Sequence, residues 1–167
     1  MGRPDFTGPR PGGTSSDRAT LWWEDFEVGQ TVEMGRHTFT EDEIVSFARQ
    51  FDPQPFHIDP AAARESAFGG LIASGWHTCA IGMRLMVESY VNRTRSLGSP
   101  GLDSVRWLKP VRPGDTLTYT RTALERRASA SRAGVGLVKT RWEATNQHGE
   151  VVLTMEGWGM FGRRPAA

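Results

Sequence analysis

From residue 21 onward, apolar and polar positions run in blocks whose period changes along the chain. Val28 to Phe39 reads as a first strand, although Gly29 and Gly35 dilute its pattern. Thr40-Glu41-Asp42-Glu43 has the form of a capping box, a hydroxyl at the N-cap with a carboxylate three residues on. Ile44, Phe47, Ala48 and Phe51 then mark one face of a short helix. Asp52-Pro53-Gln54-Pro55 is expected to be non-helical, because each proline pushes its predecessor toward extended backbone. Asp59-Pro60 restarts a helix, with Asp as N-cap and Pro in the first turn, ending near Ser66 before Phe68-Gly69-Gly70.

The longest helix is predicted to begin at Ser74-Gly75 and to run to about Asn92. Trp76, Cys79, Ala80, Met83, Met86, Val87, Tyr90 and Val91 recur there at helical spacing and form one apolar stripe. Gly98 and Ser-Pro-Gly at 99–101 close that segment, and the period then becomes two. Candidate strands are Asp103–Lys109, Thr116–Leu124, Val135–Thr145 and Glu150–Phe161, joined by turn-forming segments. One strand, a long helix and a run of antiparallel strands define an α+β fold with the sheet folded around the helix.

Composition narrows the function classes. The 167 residues suit one domain, with residues 1–20 expected to form a disordered arm and 21–167 a single unit. The 20 basic and 19 acidic residues nearly cancel, which argues against a nucleic-acid partner held by bulk charge. Cys79 is the only cysteine, so no intrachain disulfide or cysteine-rich metal site is possible. His37 and His148 have no partners at ligand spacing, and neither a metal nor a cofactor is expected. A mean hydropathy of −0.45 and no long apolar run exclude a membrane-spanning helix. The amino-terminal segment lacks the apolar stretch of a secretory signal, so a cytoplasmic location is expected.

The densest chemistry lies in Phe51-Asp52-Pro53-Gln54-Pro55-Phe56-His57-Ile58-Asp59-Pro60. On a helix, Asp52 and His57 would stand about 140° apart around the axis. Fully extended, they would be roughly 17 Å apart. The prolines supply a third geometry, a rigid turn that aims carboxylate and imidazole at one point. Read by residues alone, the segment is equally a proline-rich loop with a solvated Asp and an incidental His.

The stretch FDPQPFHIDPAAA, followed by GGLIASGWHT, resembles the MaoC-like dehydratase or (R)-specific enoyl-CoA hydratase family. EDFEVGQ and KPVRPGDTL are also similar to family segments, and the resemblance spans roughly Glu24 to Phe161. It implies a hotdog fold, a curved antiparallel sheet around a central helix, assembled as a homodimer or higher homo-oligomer. It implies reversible hydration of a 2-enoyl-CoA thioester to a 3-hydroxyacyl-CoA, as in fatty acid metabolism. By that likeness Asp52 accepts a proton of the attacking water, and His57 orients the water and handles proton transfer. The backbone N–H of Gly75, with Ser74 beside it, would hold the thioester oxygen at the start of the central helix. Gly75 is also what a tight packing contact would require.

The chain departs from the family pattern in places. Gln54 stands where the family has Asn, and Met83 stands near a position where some hydratases carry serine. Trp76 and His77 are larger than their usual counterparts and are expected to shorten the acyl pocket. A buried or interfacial His77 is the other reading. Trp22, Trp23, Trp107, Trp142 and Trp158 are read as core or subunit-contact aromatics. Two other functions fit the same scaffold: a hotdog thioesterase, with Glu88 as the only acidic group on the central helix, and a non-catalytic acyl-CoA-binding module.

Overall fold

The computed structural model describes residues 21–165; the expected amino-terminal arm, residues 1–20, lies outside the described residues. Five strands form one antiparallel sheet: β1 (Thr31–Thr38), β2 (Gly101–Trp107), β3 (Thr116–Ala128), β4 (Val135–Thr145) and β5 (Val151–Gly162). Their spatial order is β1-β3-β4-β5-β2, which leaves β1 and β2 as the edges. Four α-helices precede β2: α1 (Glu41–Phe51), α2 (Pro55–Ile58), α3 (Pro60–Glu65) and α4 (Gly75–Ser89). The sheet wraps α4, and the α+β expectation holds.

Local chemistry moves several boundaries. Val28 and Gly29 sit in a turn before β1, with Gly29 at φ +87° and its N–H donating to Ala123 O. Pro55 is helical after all: it opens α2, where its fixed φ suits the first helical position and its missing N–H costs nothing. The capping box is half formed. The Thr40 hydroxyl accepts from Glu43 N, but the Glu43 carboxylate turns away to His37. α4 stops at Ser89, followed by a 3-10 turn over Val91–Arg93, because Tyr90 leaves helical geometry at φ −145°.

The face that α4 buries also differs from the expected stripe. His77, Thr78, Ile81, Gly82, Leu85 and Met86 are buried, while Trp76 and Met83 are 58% and 55% exposed. Close fit decides this rotation. Tyr119 of β3 lies so near Gly82 that a Cβ there would be 3.1 Å from its ring, and its hydroxyl donates to Thr78 O at 3.0 Å. A small residue admits a large ring, and the Thr78 carbonyl accepts its hydroxyl, where a larger side chain at 82 would hold the sheet away. The core then closes around Phe39, Ile44, Leu117, Tyr119, Val138, Val152 and Leu153.

The opposite flank of α4 and the adjoining edge strand β2 stay apolar and uncovered. Trp76, Met83, Leu102, Trp107 and Leu108 are all exposed there. At the amino-terminal end of α4, three segments meet: the α1–α2 turn, the strand-like run 71–74 and the loop after β2. Ala73 N donates to Val111 O at 2.8 Å, and Ile72 N to Phe56 O at 3.3 Å. These bonds fix the floor of the site.

Candidate active site

Asp52 caps the carboxyl end of α1, its N–H donating to Ala48 O at 2.8 Å. Pro53 forbids further helix, and Gln54 N donates back to Asp52 O at 2.8 Å, a tight three-residue turn. Gln54 then serves as N-cap of α2, with Pro55 opening the helix and His57 on its single turn. The chain thus reverses within five residues. His57 Nε2 comes to 3.3 Å from Asp52 Oδ2, the convergence that neither a helix nor an extended strand could supply.

Each member of the pair is held from behind. His57 is buried, and its Nδ1 lies 2.7 Å from Ile72 O. A carbonyl only accepts, so Nδ1 carries a proton and Nε2 is the nitrogen that faces Asp52. With Nδ1 committed, the Nε2–Oδ2 contact is attractive when Nε2 is also protonated; otherwise two lone pairs oppose each other. Asp52 Oδ2 accepts from the Ser74 hydroxyl at 2.7 Å, and Oδ1 accepts from Gln54 Nε2 at 2.7 Å. Burial would raise the Asp52 pKa, but the Ser74 and Gln54 hydrogen bonds and nearby His57 outweigh it. The carboxyl is held below its ordinary range. Gln54, in the place of Asn, still reaches the Asp52 carboxylate.

Ser74 is placed differently from the oxyanion or substrate-binding role expected of it. It is fully buried, donates to Asp52 and accepts from Trp76 N at 3.2 Å as the N-cap of α4. Its hydroxyl is spent on positioning, with no face toward the cleft. Gly75 is the first helical residue, lines the cleft, and its N–H bonds to no described residue. A Cβ on Gly75 would sit 2.5 Å from Trp107 Cε2 and Nε1, so close packing also demands glycine there. The packing reading of Gly75 therefore holds.

The cleft has a volume of about 450 Å³ and brings together Asp52, Gln54, His57, Gly75, Trp76 and Trp107. Trp76 lines it as expected. His77 does not: it points under α1, stacked on Phe47 with ring centroids 4.6 Å apart and with Phe39 at its edge. Burial lowers the His77 pKa, Glu43 opposes this and His37 adds to it. Glu88 lies far from the cleft, exposed and paired with Arg84 at 3.6 Å. Trp107, grouped above with core or contact aromatics, is the cleft residue that sequence reasoning missed. The available signal was its alternation with Val105, which puts both on the α4 side of β2.

With the geometry in place, the chain can be set beside known proteins. The MaoC-like domain model matches residues 25–147. The chain belongs to the MaoC-like family. A MaoC-like dehydratase from Rhodospirillum rubrum shares 42% identity at a TM-score of 0.80, over 87% of this chain and 99% of that one. The unliganded R-hydratase PhaJ1 of Pseudomonas aeruginosa shares 25% identity at a TM-score of 0.67, over 86% of each chain. The mesaconyl-CoA hydratase of Cereibacter sphaeroides is 42% identical over 62 residues, 37% of this chain and 18% of its own length. The MaoC-like domain here is a hotdog fold, and none of its described helices is long and apolar enough to cross a membrane.

Proposed function

We propose that this MaoC-like protein reversibly hydrates a 2-enoyl thioester of coenzyme A, giving the 3-hydroxyacyl thioester. The observation that carries this reading is the convergence of Asp52 and His57 at an open cleft, beside the Gly75 N–H, which bonds to no described residue. A water between carboxylate and imidazole loses a proton to Asp52 as its oxygen attacks C3. The C2–C3 π pair moves toward the carbonyl, and negative charge develops on the thioester oxygen. The Gly75 N–H, aided by the positive end of α4, stabilises that oxygen as an enolate. Asp52 passes that proton across the 3.3 Å contact to the free lone pair of His57 Nε2, Nδ1 keeping its own proton on Ile72 O, and Nε2 delivers it to C2. Dehydration is the reverse.

The hydratases among the similar proteins support the reaction class, and the family's MaoC-like dehydratase from R. rubrum supports either direction. The thioesterase alternative needs a second water-activating acid, and Glu88 is paired with Arg84 outside the cleft. The working unit is a dimer, with Trp76, Met83, Leu102, Trp107 and Leu108 covered by a second copy. The test is loss of conjugated-enoyl absorbance on a series of trans-2-enoyl-CoA thioesters. Turnover is expected, and Asp52→Asn should lower it by about 100-fold or more. A wild-type protein that hydrates none of them refutes the proposal.

A further inference from the structure

Two rows of side chains run along the uncovered flank of α4, from the cleft toward the middle of the sheet. The helix row is Trp76, Cys79 and Met83; the strand row on β2 is Trp107, Val105 and, beyond a register shift, Leu102. Trp76 and Trp107 line the cleft. Cys79, Met83 and Leu102 line a second cavity of about 330 Å³, backed by Met86, Met155 and Trp158. No charged side chain lines this cavity, and it shares no lining residue with the cleft.

The Trp107 indole lines the cleft where the two rows begin. Its pyrrole edge lies on Gly75, within 2.5 Å of where a Cβ would stand, and it meets Trp76 edge-on with ring centroids 5.3 Å apart. It therefore covers the first turn of α4, beside the N–H proposed to hold the thioester oxygen. An acyl chain leaving C3 toward the apolar cavity has to pass this ring. Resting on the hydration reading above, we infer that Trp107 sets acyl-chain length. Its indole closes the passage between the two cavities, so the protein selects short acyl groups. The apolar cavity receives a longer aliphatic tail only when the ring is removed.

Wild-type, Trp107→Ala and Trp107→Phe proteins, matched for cooperative melting and oligomeric state, would be assayed with trans-2-butenoyl-CoA and trans-2-octenoyl-CoA. The same proteins would be titrated calorimetrically with saturated butanoyl-CoA and octanoyl-CoA. The wild type should favour the short thioester in both measurements. In Trp107→Ala the long-to-short ratio should rise about tenfold or more, since each buried methylene is worth about fourfold in affinity. Trp107→Phe should fall between, and carries the test if the alanine variant does not fold. An unchanged ratio in folded variants overturns the inference. Chain-length-dependent binding without hydration by any variant refutes the hydratase reading alone and upholds the role of Trp107. No binding of either thioester overturns both.

Discussion

Removing the Ser74 hydroxyl separates two contributions that meet in one atom. Ser74→Ala deletes the N-cap of α4, worth about 1 kcal/mol. It also deletes a hydrogen bond to the Asp52 carboxylate, and bonds to charged groups are worth about 1.5–3 kcal/mol. Gln54, His57 and some solvent remain to Asp52, so the lower end applies and the sum is about 2.5 kcal/mol. For a chain of this size that is a fall of roughly 5–10 °C in melting temperature. Ser74→Gly keeps most of the cap and isolates the Asp52 part, because glycine at an N-cap costs only about a few tenths of a kcal/mol.

The two parts differ in pH dependence. The folded Asp52 pKa is depressed, so its stabilisation is present above the ordinary carboxyl range and fades as pH falls through the folded value. The Asp52 share of the Ser74→Ala loss should therefore be full at neutral pH and shrink in acid, while the cap share persists. Without the hydroxyl the carboxyl titrates higher. In a hydration assay, the acid limb of kcat/KM should move to higher pH, and the conservative glycine variant should move it equally. An unmoved acid limb, with a stability loss that stays constant into acid, would refute the assignment of Ser74 as the group that holds Asp52.

Asp52→Asn and His57→Gln should each reduce hydration by about 100-fold or more, and the double variant should be scarcely worse than either; additive losses would show that the two residues do not share one step. Gly75→Ala should destabilise by about 1–3 kcal/mol through its clash with Trp107. In a Trp107→Ala background the same change should become neutral or stabilising, since alanine is the better helix former; thermal melts giving the same sign in both backgrounds would remove the clash as its cause. Light scattering at micromolar concentration should give at least twice the 18.5 kDa chain mass, and Leu102→Glu should shift it toward the monomer. A wild-type monomer would rule out the proposed second copy.

Much of the architecture was legible because it rests on local chemistry. Thr40 and Asp59 both cap helices through their side chains, as their positions at the start of helical runs indicated. β4 begins and ends at Val135 and Thr145 as its period-two pattern predicted, because a strand packed against α4 must alternate. Proline chemistry likewise announced the turn after Asp52. What it left open was direction, since a proline turn can aim two side chains together or apart, and the outcome depends on the Ile72 carbonyl that anchors His57.

The roles of Ser74, His77 and Trp107 were decided only by tertiary structure. Each belongs to a residue type that tolerates several environments, and its neighbours lie far away in sequence: Asp52 for Ser74, Phe47 for His77, Gly75 for Trp107. The rotation of α4 has the same origin. Periodicity ranks helix faces by hydropathy, whereas the folded sheet selects by fit, and Tyr119 packs on Gly82 because no side chain keeps it away. The capped helices, the strand run and the proline hinge that carries Asp52 and His57 were readable from the chain alone, because they depend on adjacent residues. Which atoms meet across the cleft, and which flank of α4 stays open, depended on contacts between segments 15 or more residues apart, which no local pattern encodes.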